Sequence, residues 1–74
     1  MSTSSRHMRI YVMHPPEPGA DWAVRVDASR PQRFRLEREA LTYALRQARI
    51  NNEAGFKVEL RVEDDHGHWR AVAL

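Results

Sequence analysis

Cysteine is absent from the 74-residue sequence, which excludes disulfide bonds and thiolate metal sites. Glycine is scarce, and Gly19, Gly55 and Gly67 lie far apart, so the chain has no glycine-rich loop for phosphate. No apolar run approaches the roughly 20 residues of a membrane-spanning helix, and no secretory signal is visible. These absences predict a small cytoplasmic domain, for which oligomerisation is the remaining common way to add buried surface.

Groups for nucleophilic catalysis are also scarce. Beyond the N-terminal segment, serine occurs once, at Ser29, and it is not flanked by glycines as in a nucleophile elbow. Asp64 and Asp65 are adjacent, so on a strand their carboxylates would point to opposite faces instead of flanking a substrate. We therefore expect no enzymatic activity and no cofactor.

Residues 64–68 hold two carboxylates and two imidazoles, which are ligand types for zinc and nickel. Asp-Asp-His-Gly is also an ordinary turn sequence. A closed site with four ligands would need help from a second chain, because His14 is the one further histidine ligand that the sequence offers beyond the N-terminal segment. The sequence predicts a solvated turn here, without a metal.

Arginine dominates the basic residues. Eleven arginines stand against one lysine, Lys57, and the formal net charge is +2. The guanidinium fork matches phosphate and carboxylate groups better than an ammonium does, which favours an anionic partner. Codon usage in a GC-rich genome explains the same excess without any function, and both interpretations stay open at this point.

Two alternating segments near the N-terminus predict a pair of strands. In residues 8–13, Ile10 and Val12 share one face, and residues 21–27 alternate in the same way. Residues 14–20 between them contain three prolines, which prevent a strand from continuing. The pattern predicts an antiparallel hairpin.

The period changes to 3.6 in residues 37–52, which predicts an amphipathic helix after a polar loop over residues 28–34. The stripe expected to face the sheet is Ala40, Leu41, Ala44, Leu45 and Ala48. Its alanines let the helix backbone approach the sheet closely. Gly55 follows the helix and can adopt the left-handed conformation that ends one.

Residues 56–63 alternate four apolar and four charged side chains without error, which predicts a strand with one buried face. After the turn, residues 68–74 return as a last strand. This order predicts an α+β fold, ββαββ, with a small antiparallel sheet and one helix packed on one face. We expect a single domain over residues 9–74 and a disordered tail over residues 1–8.

Three short stretches carry a resemblance to a known family. They are Asp21-Trp22-Ala23-Val24-Arg25, then Glu39-Ala40-Leu41 followed by Ala44 and Ala48, and the alternating strand that leads into Asp65-His66-Gly67-His68-Trp69. Over about residues 10–70 the chain resembles small bacterial proteins of domain of unknown function family 2188. The resemblance implies a small ββαβ-type fold in bacteria or their phages, and it implies no activity and no functional residues.

A second apolar stripe on the helix predicts a protein contact. Leu36, Tyr43 and Ile50 are seven residues apart and therefore align about 140° around from the first stripe. Arg46 and Arg49 would border this stripe. An aliphatic and aromatic row on the outer side of a helix is typical of an interface. The leading hypothesis is an interaction module that binds protein, including a second copy of itself, through this surface.

The alternative hypothesis is a nucleic-acid-binding accessory protein. Four arginines cluster just before and at the helix N-terminus: Arg30, Arg33, Arg35 and Arg38. Helix N-termini attract anions, although Glu37 and Glu39 neutralise part of this charge. A further alternative is a phage-borne inhibitor of a bacterial nucleoprotein complex, which requires only a rigid surface.

The sheet face away from the helix is a related candidate for nucleic acid. Its expected basic and aromatic residues are Arg9, Tyr11, Arg25, Lys57 and Arg61, with Arg70 as a further candidate. RNA-binding sheets stack bases on two or three aromatic residues, and Tyr11 alone is predicted here. Glu59, Glu63 and Asp27 share the face and would repel phosphate, so cross-strand ion pairs are the simpler interpretation.

Overall fold

Five strands and one helix form an α+β fold in the computed structural model, which describes residues 6–74. The elements are β1 (Arg6–Met13), β2 (Trp22–Val26), β3 (Gln32–Phe34), α1 (Glu37–Glu53), β4 (Phe56–Glu63) and β5 (Trp69–Val72). The predicted fold class, with one helix packed on one face of a small sheet, is confirmed. Within the described residues, no helix is long and apolar enough to cross a membrane.

The sheet is mixed, so the prediction of a purely antiparallel sheet is wrong. The strand order is β3-β2-β1-β4-β5, and β1 and β4 run parallel at the centre, with Ile10 opposite Leu60 and Val12 opposite Val62. The other three pairs are antiparallel. The predicted hairpin of β1 and β2 is confirmed.

One short strand explains the parallel pair. Residues 28–34 are predicted as a polar loop, but β3 forms within them and pairs with β2, Phe34 lying opposite Trp22. This strand reverses the chain once more before the helix. Since α1, roughly 25 Å long, returns the chain to the end of the sheet at which β1 and β3 begin, β4 runs parallel to both.

The N-terminal boundary of the domain lies earlier than predicted. β1 begins at Arg6, and its first residues pair in parallel with Phe56 and Lys57 of β4. The Arg6 guanidinium lies 5.8 Å from the Phe56 ring centroid. The predicted tail over residues 1–8 is therefore wrong for residues 6–8, while residues 1–5 lie outside the described residues.

The core lies between the helix and one face of the sheet. Its buried members are Ile10, Val12, Val24, Ala40, Ala44, Ala48, Leu60 and Val62. The three alanines are 0% exposed, as predicted, and their small side chains bring the helix backbone close to the sheet. Leu41 is half-buried beside them, but Leu45 is 40% exposed. The predicted buried stripe is therefore wrong at Leu45, which lies beyond the flank of the sheet contact.

The helix ends as the sequence predicts. Ala54 donates its amide to the carbonyl of Ile50, and Gly55 donates to that of Asn52. Gly55 has a φ of 99°, a left-handed conformation that side chains disfavour. The chain can therefore turn directly from the helix into β4.

The close approach of the helix can be tested at Ala44. Because its methyl group is fully buried against the sheet, Ala44→Leu is expected to destabilise the fold by about 1–3 kcal/mol. Thr42→Leu is the matched control, since Thr42 is exposed on the same helix, and its effect should stay within about 0.5 kcal/mol. Urea unfolding followed by circular dichroism measures both. Equal stabilities of the two variants would contradict the packing described above.

Candidate functional site

The sheet face opposite the helix carries a continuous set of polar and aromatic side chains. Strand alternation and register place these residues on it: Arg9, Tyr11, Met13, Ala23, Arg25, Arg33, Lys57, Glu59, Arg61, Glu63, Trp69 and Ala71. The helix packs against the opposite face, and the turn at Asp27 and Ala28 borders this one beside Arg9, Tyr11 and Arg25. We call this surface the uncovered face.

A row of three side chains crosses the uncovered face. Arg25 lies directly opposite Tyr11 in the β1–β2 register, and its guanidinium carbon is 5.2 Å from the Tyr11 ring centroid. On the other side, the rings of Tyr11 and Trp69 meet edge to face, with centroids 5.7 Å apart and planes at 82°. Trp69 remains 43% exposed, so the row presents aromatic surface to solvent.

Trp69 is the residue that the sequence-based prediction missed on this face. β5 pairs Trp69 with Glu63 of β4, and the alternation of β4 already places Glu63 on the wet face. The turn between β4 and β5 determines the register of β5. Its length therefore contained the information needed to place Trp69 on the same face as Glu63. With Trp69 included, the face holds two aromatic residues instead of the predicted one.

The Arg25 guanidinium group lies over the ring of Tyr11. Its Nε atom is shielded from solvent and has no hydrogen-bond partner within residues 6–74. The contact with Tyr11 therefore orients the guanidinium group, whose planar shape suits stacking on a ring face. A planar group fixed in this way is preorganised to meet another planar group or a phosphate oxygen.

The carboxylates on the uncovered face have partners within the protein. Glu59 lies 3.9 Å from Arg9 across the strand pair and 3.6 Å from Arg61 on its own strand, so the predicted cross-strand ion pairing is confirmed for Arg9. The Glu63 carboxylate accepts the His14 backbone amide at 3.0 Å. Since these carboxylates already have partners, they oppose an anionic ligand less than free carboxylates would.

The formal charge of the uncovered face is positive. Five basic side chains lie on it, namely Arg9, Arg25, Arg33, Lys57 and Arg61, against the three carboxylates of Glu59, Glu63 and Asp27, which leaves a net formal charge of about +2. Asp27 lies beside Arg9 and accepts its backbone amide at 2.8 Å. Arg70 does not belong to the basic set. It lies opposite the buried Val62, so its side chain starts from the helix side of the sheet and its proposed place on this face is wrong.

The predicted arginine cluster is spread over several elements. Arg30 lies before β3, Arg33 is on β3, Arg35 lies between β3 and the helix, and Arg38 is in the first helical turn. All four are exposed. Arg33 pairs with Ala23 and so shares the uncovered face, whereas Arg35 borders a groove formed with the proline-rich connector.

The predicted outer stripe of the helix lies on its flank near β3. Leu36 and Ile50 are 44% and 51% exposed, but Tyr43 is half-buried and its ring centroid lies 5.2 Å from that of Phe34. The placement of Tyr43 on a fully outward side is therefore wrong, because β3 supplies Phe34 where a polar loop is predicted.

The arginines expected at the rim of that stripe are both exposed. Arg49 lines a groove with Leu45 and Leu74, which is the flank toward β5. Arg46 remains on the exposed side of the helix. Arg46 is three residues from Tyr43 and four from Ile50, so it neighbours both on the helix surface, and the interface predicted from these residues stays a prediction.

The turn before β5 is built around Asp64, and its predicted turn structure is confirmed. The Asp64 carboxylate accepts the amides of His66 at 2.8 Å and His68 at 2.9 Å. The bond from His68 is the largest cause that lowers the pKa of Asp64 below its ordinary value of 3.8. No group of three or more potential metal ligands is found within residues 6–74.

No protein-family model matches the chain, and no match is found among the curated proteins or the solved structures. The resemblance to domain of unknown function family 2188 therefore stays a prediction.

The role of Asp64 can be tested by its pH dependence. A lowered pKa in the folded state means that the carboxylate stabilises the fold above its unfolded-state pKa. This stabilisation is lost as the pH falls through the folded-state pKa. Asp64→Ala should therefore unfold at a lower urea concentration than the wild type at neutral pH, and this difference should vanish in strong acid.

Asp65→Ala is the matched control for that experiment. The Asp65 side chain is exposed and lies near the His66 ring at 3.6 Å, beyond hydrogen-bond distance. We expect little change in its unfolding midpoint at either pH. If both variants lose the same stability at neutral pH, the two hydrogen bonds to Asp64 are not the cause.

Proposed function

We propose that this chain is a non-enzymatic module that binds single-stranded nucleic acid on its uncovered face. The observation that carries the proposal is the row of Arg25, Tyr11 and Trp69, in which a guanidinium group lies over one ring and a second, exposed ring meets the first edge to face on a positively charged sheet. Aromatic side chains surrounded by basic residues are the usual means of binding unpaired bases together with their phosphates.

Each part of the row suits one part of a nucleotide. Trp69 offers exposed ring surface on which a base can stack, and base–aromatic stacking contributes about 1–3 kcal/mol per base. Arg25 holds a guanidinium plane beside Tyr11, on which a second base or a phosphate can be bound. Lys57 and Arg33 lie farther out on the same face and can contact the backbone on either side.

A single strand fits this surface better than a duplex. In a duplex the bases are stacked on one another, so their faces are not available to Tyr11 and Trp69. The surface is also a flat sheet, and no strand or helix of the described residues projects from this face into a groove. Splayed bases of a single strand can lie across such a sheet.

A phosphate group can compete with Glu59 for its two arginine partners. Glu59 is shared by Arg9 and Arg61 at 3.9 and 3.6 Å, and all three side chains are at least 41% exposed, so each pair contributes little to stability. A phosphate group can therefore replace Glu59 as a partner of either arginine at low cost.

This proposal changes the location of the predicted nucleic-acid contact from the arginine cluster to the sheet, with Arg33 common to both. The hypothesis of a protein contact through Leu36, Tyr43 and Ile50 stays a prediction, as do the absence of enzymatic activity and the cytoplasmic location.

Fluorescence anisotropy with labelled mixed-sequence single-stranded DNA and RNA tests the proposal. Trp69→Ala and Tyr11→Ala should each weaken binding roughly 5- to 150-fold, the equivalent of about 1–3 kcal/mol per stacked base. Tyr11→Phe keeps the ring and should bind nearly as well as the wild type. Circular dichroism of each variant checks that the fold is retained.

Salt dependence tests the electrostatic part separately. Because phosphate contacts release counterions, affinity should fall steeply with salt. The double variant Arg9→Gln, Arg61→Gln should have a shallower salt slope than the wild type. The matched control is Arg46→Gln, Arg49→Gln, which removes the same charge from the helix. No binding at low salt, or equal losses in the two double variants, would overturn the proposal.

A further inference from the structure

The two edges of the sheet differ in how well they are protected against pairing. Each edge strand carries one arginine, but β3, at one edge, has three residues and directly follows Pro31, and both features discourage pairing with another strand. β5, at the other edge, has four residues, no proline and a single charged residue, Arg70. Within residues 6–74 no strand pairs with its outer side. β5 is therefore the edge that is open to a partner.

The backbone groups that β5 presents outward can be identified. Asp64 donates its amide to the His68 carbonyl at 2.8 Å, which makes Asp64 and His68 a hydrogen-bonded pair of the antiparallel ladder. Because such pairs alternate along antiparallel strands, Arg70 and Val72 bond to β4. The amide and carbonyl groups of Trp69 and Ala71 consequently point away from the sheet.

Apolar side chains accompany this free edge. Leu45 on the helix is 40% exposed and Leu74 is 61% exposed, and both line a groove of about 280 Å³ next to β5 together with Arg49. A partner strand added at β5 would cover this groove. The edge thus offers unpaired backbone groups and apolar contact area at one place.

We propose that the partner at this edge is a second copy of the chain, whose β5 pairs antiparallel with the first β5. In this arrangement a two-fold axis passes beside Ala71, so that Ala71 faces Ala71 of the other copy. The two five-stranded sheets then form one continuous sheet of ten strands.

Charge and side-chain size favour self-pairing in this register. With Ala71 on the axis, Arg70 faces Val72 of the other copy, and Trp69 faces Ala73. An axis at Arg70 would instead bring two guanidinium groups together, which is unfavourable. The groove at Leu45 and Leu74 of each copy meets the same groove of the other, so the apolar surfaces match by symmetry.

The inference is independent of the proposed function. Nucleic-acid binding uses side chains on the uncovered face, whereas the dimer uses backbone groups of β5 and the flank at Leu45. If both hold, the dimer places two rows of Arg25, Tyr11 and Trp69 on one continuous face. A longer single strand would then be bound more tightly than a short one.

Sedimentation equilibrium over a range of concentrations tests the dimer. The wild type should approach twice the 8.7 kDa of the single chain. Ala71→Pro removes an outward amide without breaking a bond to β4, and by symmetry it removes two intermolecular bonds. We expect dissociation to become about tenfold to hundredfold easier. Leu45→Glu should have a similar effect without altering the backbone.

Ile50→Glu is the matched control, because Ile50 is also exposed, at 51% against 40% for Leu45, but lies on the helix flank toward β3 and away from β5. It should leave the dimer intact. A monomeric wild type at about 1 mM would overturn the inference. A dimer that dissociates with Ile50→Glu but not with Ala71→Pro would overturn it as well, in favour of the predicted helix surface.

A cysteine variant tests the register, since the natural chain contains no cysteine. In a hydrogen-bonded antiparallel pair the facing Cα atoms are about 5.5 Å apart, which lies within the range for a disulfide. Ala71→Cys should therefore form a disulfide-linked dimer under mild oxidation much faster than Ile50→Cys. Equal rates would contradict an axis at Ala71. Nucleic-acid binding measured on Leu45→Glu, whose site is on the helix and not on the uncovered face, shows separately whether the uncovered face is functional.

Discussion

The close contact between the helix and the sheet is the constraint on which the rest of this structure depends. Ala40, Ala44 and Ala48 are fully buried, and their small side chains let α1 lie directly on the central strands. With one helix available, this contact provides the whole core on one side of the sheet. The other side is left to face solvent, so its side chains are free to serve binding.

The parallel pairing of β1 and β4 joins the two halves of the chain. β1 belongs to the N-terminal hairpin and β4 to the C-terminal one, and the register of β1 and β4 aligns Tyr11 with Arg61. This alignment, together with the pairing of Glu63 and Trp69, brings Trp69 within contact distance of Tyr11. The candidate site is therefore assembled from β1, β2, β4 and β5, and no single segment of the sequence contains it.

The uncovered face and the free edge of β5 are both left exposed for the same reason, which is that this small domain has a single helix to cover its sheet. A sheet with a single helix has one layer of core, so a small chain of this kind buries a limited fraction of its surface. Both unused surfaces then remain available for contacts with other molecules. Their chemistry differs: the face offers charge and aromatic rings, whereas the edge offers backbone hydrogen bonds and exposed leucine side chains. The two contacts that we propose, with an anionic polymer and with a second copy, therefore use different surfaces and do not compete.

Local features of this protein could be predicted from sequence alone. The alternation of residues 56–63, the 3.6-residue period with its three alanines, the turn at Asp64 and the helix end at Gly55 all depend on neighbours within a few positions. The sequence by itself thus determined the α+β class, the main elements and the buried face of the helix. Pairing between distant segments was decided by the tertiary structure. The three-residue strand β3 reverses the chain, makes the central strands parallel and brings Phe34 against Tyr43. The sequence did not predict this strand, because three residues show too little periodicity to be recognised without the strand with which they pair.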